Sequence, residues 1–259
     1  MNELHIIYRI SDKSLPKNKL PNAGKKECLL NTIKEFGKKN LYILADNCSQ
    51  ETLDWLYSLS IKIEETHNGN AGTCYYIFDK LIHNYDKDDY LYLLEDDYLH
   101  LPNSKQILLE GLQIADYVTL YDHPDMYKKY SPNFLVHDGL PKCSIFLTKS
   151  RHWRESISTT MTFAAKVQTL IEDSEIWKQF CNHSIPHDFH AFLNVLGQDN
   201  LDEAKRLIVL GFTEFAETLI NNHFNNRIKR LLISPIPSLS THTDLYEDNL
   251  APLIDWIKI

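Results

Sequence analysis

Three consecutive acids, Glu95, Asp96 and Asp97, close the run YLYLLEDD, in which every position before them is apolar. Carboxylates in a row repel one another, so they persist cheaply in water or facing a cation. Hard divalent ions such as Mg²⁺ and Mn²⁺ prefer oxygen ligands, commonly one or two carboxylates plus substrate phosphates. The plain alternative is a solvated acidic turn, and the buried-strand pattern before the acids weighs against it. Polar groups end two further apolar runs: Arg9-Ile10-Ser11 after LHIIY, and Asp46-Asn47 after LYILA. Asp188 opens the helical pattern of SIPHDFHAFL, where an Asp also simply suits the positive end of a helix dipole. His242 stands in the polar segment STHTDLYEDN, where a lone histidine is commonly just solvated.

The elements that must position these groups follow from periodicity. LHIIYRI reads as a strand, and 22–39 as a helix with Leu29, Leu30, Ile33 and Phe36 on one face. LYILAD (41–46) is a second strand, and 49–56 a short helix started by a Ser cap. IKIEE (61–65) is a third strand; the turn HNGNAG then leads into a helix over 71–85. YLYLL is a central strand buried on both faces. After it come a helix over 104–113, strands at 117–121 and 144–148, and a mainly helical region from about 150. Such a βαβαβαβ order predicts an α/β fold, a mostly parallel sheet covered by helices on both faces. Open parallel sheets bind ligands beyond the carboxyl ends of their strands, which is where Arg9, Ser11, Asp46 and the three acids fall.

The 259 residues read as a single domain, 1–259, long enough to fold without a disulfide or structural metal. A formal net charge of -8 with mixed signs argues against nucleic acid as a main partner. The five cysteines are scattered and form no Cys-x-x-Cys pair, which reads as reduced thiols of a cytoplasmic protein. MNELHIIYRI is no signal peptide, and no apolar stretch approaches the ~20 residues that span a bilayer, so membrane contact is peripheral at most. There is no P-loop G-x-x-x-x-G-K-[ST], no G-x-G-x-x-G after the first strand and no G-x-S-x-G elbow.

YRIS (8–11), LADN (44–47), HNGNAG (67–72) and LLEDDY (94–98), in that order, resemble the GT-A glycosyltransferases, especially the family-2-like enzymes. The resemblance implies a GT-A-type sheet, with 1–122 as the nucleotide-sugar-binding half and 123–259 as an acceptor-side part with a helical C-terminal region. It implies that Arg9 and Ser11 line the nucleoside site and that Asp46 hydrogen-bonds the base. It further implies that Asn68 and Asn70 help hold the nucleotide, while Glu95 and Asp96 face ribose and sugar. Asp97 would hold a Mn²⁺ or Mg²⁺ ion bridging the phosphates of a nucleotide-diphosphate sugar, with His242 completing the metal site and Asp188 as catalytic base. Glu95 departs from the Asp that usually opens the acidic motif. The implied reaction is an inverting transfer from the donor, a UDP-sugar by family frequency, to a glycan or other hydroxyl acceptor. A sugar-nucleotide pyrophosphorylase and a non-catalytic carbohydrate-binding module on a decayed transferase fold are the alternatives.

Other groups stay open at this level. His187 and His190 are one helical turn apart, a spacing for surface histidines or a metal. Lys149, Arg151 and Arg154, and also Arg227, Lys229 and Arg230, are either a solvated face or screens for diphosphate charge. Trp153 and the stretch 158–163 belong to the core or touch sugar.

Overall fold

In a computed structural model of the chain, the described residues are 2–13, 18–127, 143–181, 186–245 and 249–258. Residues 128–142, between the strands expected at 117–121 and 144–148, lie outside the described residues, and Pro124–Tyr127 forms a short turn. Four strands alternate with helices through the first half: β1 (Leu4–Ser11), α1 (Lys25–Phe36), β2 (Leu41–Asp46), α2 (Gln50–Ser58), β3 (Lys62–Thr66), α3 (Gly69–Asp79) and β4 (Tyr90–Glu95). β5 (Tyr98–His100), α4 (Ser104–Gly111), β6 (Tyr117–Val118), β7 (Ile145–Leu147), β8 (His152–Ser156) and β9 (Phe163–Lys166) follow. Then come α5 (Val167–Glu172), α6 (Ser174–Phe180), α7 (Asp188–Val195), α8 (Leu201–Val209), α9 (Thr213–Phe224), β10 (Leu232–Ile236) and β11 (Ser240–His242).

Nine strands form one sheet in the order β3-β2-β1-β4-β9-β6-β10-β8-β7. β1 to β4 are mutually parallel, β9 enters antiparallel between β4 and β6, and β10 runs parallel to β6. The expected α/β class with a mostly parallel sheet and a helical C-terminal region holds. The strands β8 to β11 within the supposedly helical half were not legible. β9 reads FAAK, and its Phe163, Ala164 and Ala165 are fully buried between β4 and β6.

Local chemistry accounts for the elements. Ser49 accepts the Thr52 amide N–H and caps α2, while Asn200 accepts from Asp202 and Glu203 and caps α8. β4 alternates its burial: Tyr90, Tyr92 and Leu94 enter one hydrophobic layer, Leu91 and Leu93 the other. A buried Leu contributes roughly 1.5–3 kcal/mol, so this strand anchors both layers. In the second layer Trp177 stacks on Phe78 and Phe163, with centroids 5.1 and 4.9 Å apart. α1 begins later than expected, and Leu30 faces solvent while Cys28, Leu29, Thr32 and Phe36 face inward. Cys74 of α3 and Cys181 beyond α6 form a disulfide pair with Cα atoms 6.0 Å apart, so the reading of five reduced thiols fails for these two. Their long sequence separation hid the contact. Among the described residues no helix is long and apolar enough to cross a membrane.

Candidate functional site

The carboxyl ends of the parallel strands lie in register, so the polar termini are brought side by side. Arg9 pairs with Glu95 across β1 and β4, Ser11 with Asp46 across β1 and β2, and Asp46 with Thr66 across β2 and β3. Asp46 is fully buried. One of its oxygens accepts from Thr66 Oγ1 at 3.1 Å, the Asn68 amide at 2.9 Å and the Gly69 amide at 3.2 Å. Its other oxygen lies 3.4 Å from Arg9 Nη2. Burial by itself raises a carboxyl, but here the Arg9 guanidinium and these donors outweigh it and hold Asp46 below its ordinary value. Asp46 therefore orients Arg9 and fastens the turn that starts α3, where Gly69 takes φ +72°. Arg9 Nε is buried without a hydrogen-bond partner.

Arg9, Asn70 and Glu95 line a narrow cleft of about 30 Å³ whose other walls include Ile7, Cys74, Ile77, Met161 and Pro186. Apolar walls with a few polar groups give this edge the composition of a small-molecule site, in a narrow form. Asn68 contributes its backbone to the same edge.

Beyond Glu95 the chain leaves the main sheet. Asp96 and Asp97 form the bend, and β5 pairs antiparallel with β11 in a separate two-stranded sheet, Tyr98 opposite His242. That register is what brings His242 to the acids: its Nε2 lies 3.1 Å from Asp97 Oδ2, with both side chains near a tenth exposed. The ring Nδ1 accepts the Asp244 amide at 3.2 Å, so the neutral ring carries its proton on Nε2, toward Asp97. Asp96 accepts the Ser11 amide at 2.9 Å. Burial and the neighbouring Asp97 charge push the Asp96 carboxyl up, against that hydrogen bond. Lys25, at the start of α1, reaches the Ser11 carbonyl and stands 3.5 Å from Asp12, putting a cation beside the acids.

Asp188 occupies a neighbouring cleft of about 180 Å³ with His123, Asp125, Met126, Ser158, Thr159, Thr160 and Phe189. Its Oδ1 accepts the Phe189 amide at 2.7 Å, and burial pushes its carboxyl up to about 6. Two segments wall both clefts. Met161 and Pro186 face the first, whereas Ser158 to Thr160 and Asp188 face the second. Thr162 ties this partition to the acids, its Oγ1 lying 3.4 Å from the Glu95 amide.

Neither a family model nor a curated protein matches the sequence. Solved structures do. The chain is similar to a CMP:2-keto-3-deoxy-manno-octonic acid synthetase complexed with CTP: 13% identity, 82% of this chain against 87% of that one, TM-score 0.44. It is similar to the galactosyltransferase LgtC in complex with donor and acceptor sugar analogs: 9% identity, 89% against 86%, TM-score 0.43. It is similar to TarS from S. aureus: 11% identity, 86% against 72%, TM-score 0.42. Likeness this distant leaves the reaction to be argued from the residues.

The structure brings Arg9, Ser11, Asp46, Asn68, Asn70, Glu95, Asp96, Asp97 and His242 to one sheet edge and sets Asp188 in the adjoining cleft. It removes Arg154, Arg227 and Arg230 from the candidates for diphosphate binding. Arg154 is 1% exposed and pairs with Asp122 at 2.6 Å. Arg227 and Arg230 hold the buried Asp173 at 3.3 and 3.1 Å. His190 packs between Phe180 and Phe215 with its Nε2 2.7 Å from Thr218 Oγ1, so it does not pair with the exposed His187 on a metal. Trp153 is fully buried core. Sequence reasoning missed Lys25, His123 and Asp125, which carry no local motif.

Proposed function

We propose that the protein is a metal-dependent, inverting glycosyltransferase that moves a sugar from a nucleoside diphosphate, UDP favoured, onto a hydroxyl acceptor such as a glycan. The observation that carries this reading is the convergence of Asp97 and His242 at the rim that also presents Arg9 and Glu95, one partition away from Asp188.

The donor's base lies over the apolar cleft, with Arg9 and Asn70 offering donors to its carbonyl oxygens and Glu95 accepting from ribose. Asp46 acts through Arg9 and the Asn68–Gly69 turn. Among the described residues no three His, Cys, Asp or Glu side chains converge on one cation. Asp97 and His242 would therefore hold a Mg²⁺ or Mn²⁺ ion jointly with donor phosphate oxygens, and the ion supplies Lewis-acid stabilisation of the departing diphosphate. The residues fit that role with one adjustment. For Nε2 to offer its lone pair, the ring proton must move to Nδ1, which breaks the Asp244 hydrogen bond, a net loss of about 1 kcal/mol.

Asp188 takes the proton of the acceptor hydroxyl as that oxygen bonds to the anomeric carbon. The bond to the diphosphate breaks, its electron pair leaves with the phosphate oxygen, and the anomeric centre inverts. A carboxyl held at about 6 is ionised at neutral pH and still a better proton acceptor than an ordinary Asp.

Slow hydrolysis of UDP-sugars with Mn²⁺ tests the reading. UDP release that disappears in Asp97→Ala supports it, and retention of configuration in a transfer product removes Asp188 as base. A second reading has one specific support: Lys25 beside Ser11 and Asp12 adds positive charge where a nucleoside triphosphate would sit in a sugar-nucleotide pyrophosphorylase. Pyrophosphate release from UTP and a sugar 1-phosphate would select that enzyme. Glycan binding without any turnover would select the decayed binding module.

A further inference from the structure

The partition between the clefts is connected to the proposed cation pair by one side chain. Tyr98 directly follows Asp97 and is fully buried. Its backbone pairs with His242 in the small sheet, and its ring meets the His242 ring edge-on, centroids 5.2 Å apart. Its hydroxyl, at the far end of the same side chain, lies 2.7 Å from Thr160 Oγ1 in the wall of the Asp188 cleft. The Tyr98 ring also packs against Tyr121, which in turn packs on His123 of that cleft.

We propose that Tyr98 is a positioning residue that sets the partition over residues 158–162 according to the state of the Asp97–His242 pair. This rests on the donor reading above. The ring holds the imidazole whose proton must shift when a cation binds, and the hydroxyl transmits that position to Thr160. Ring and hydroxyl are separable by mutation. Tyr98→Phe keeps the packing against His242 and cuts only the link to Thr160; Thr160→Val cuts the same link from the other side.

Amide hydrogen exchange of wild type, Tyr98→Phe, Thr160→Val and the double variant decides the matter, with and without Mn²⁺ and UDP. Without ligand, each variant should exchange about fivefold faster over 158–163 than wild type, the size of one net hydrogen bond. The double variant should be no faster than either single one, because both remove one bond. Exchange over 240–243 should stay unchanged. With Mn²⁺ and UDP, wild type should gain protection over 158–163, and the variants should lose that gain while binding UDP within about twofold of wild type. The proposal is overturned if the partition exchanges alike in all four proteins, if the two substitutions add, if the variants gain the same protection, or if their loss appears in UDP affinity. Wild type that binds no UDP with Mn²⁺ refutes the donor reading and with it this coupling, while the ligand-free arm separately reports whether the Tyr98–Thr160 bond exists.

Discussion

Replacing Asp188 by Asn should make the protein more stable and less active, and the size of the first effect follows from the cleft. Burial lifts the carboxyl from an ordinary 3.8 to about 6. At ~1.36 kcal/mol per unit, ionising it in the folded chain costs up to about 3 kcal/mol relative to the unfolded chain. The sign runs against the usual carboxylate. Below pH 3.8 both states hold the proton and there is no penalty. Between 3.8 and about 6 the folded state binds more protons than the unfolded one, so stability falls as pH rises; above 6 the full penalty stands. Asn carries no charge, and its side-chain oxygen can still accept the Phe189 amide. Urea unfolding should therefore show Asp188→Asn gaining up to about 3 kcal/mol at pH 7.5 and little at pH 4. In the same variant, UDP-sugar turnover should drop about 10²–10⁴-fold and lose the limb that rises through pH 6 in wild type. Equal stability of the two proteins at pH 7.5 and pH 4, within error, would show that Asp188 is not the raised carboxyl described, and a wild-type rate flat between pH 5 and 7 would remove it as the base.

His242→Ala should weaken UDP binding in Mn²⁺ about tenfold or more by calorimetry while leaving metal-free UDP binding within about twofold. Arg154→Met strands the buried Asp122 carboxylate and should cost about 3–5 kcal/mol in urea midpoint analysis. Asp46→Ala releases Arg9 and the Asn68 and Gly69 amides together, so UDP affinity should fall even though Asp46 itself is buried. Gly197→Ala forces a Cβ to within 2.6 Å of the Ile228 carbonyl at φ +61°, and thermal unfolding should show a loss above about 1–2 kcal/mol.

Much of the first half was legible because each of its elements carries its own pattern. YLYLL is apolar throughout, and a strand flanked on both faces accepts nothing else. Ser49 stands where a cap must, and Arg9, Asp46 and Glu95 end strands whose parallel order forces them onto one edge. The second half resisted for an equally local reason. β9 and β11 span four and three residues, too few for a period to show, and FAAK carries the helix-favouring Ala that tertiary packing overrode.

Residue type and order thus determined the parallel strands β1 to β4 and the polar rim at their carboxyl ends, since those follow from the pattern of each element and the alternation of strands with helices. Only the tertiary structure decided which charges are already paired and which are offered. Arg154 and Arg230 look like surface cations in the chain, yet burial commits them to Asp122 and Asp173. Cys74 and Cys181 look like separate thiols, yet the packing of α3 against α6 brings them together. His242 reaches Asp97 because β5 and β11 pair in a register that long-range backbone hydrogen bonds select, and no spacing along the chain encodes such a bond.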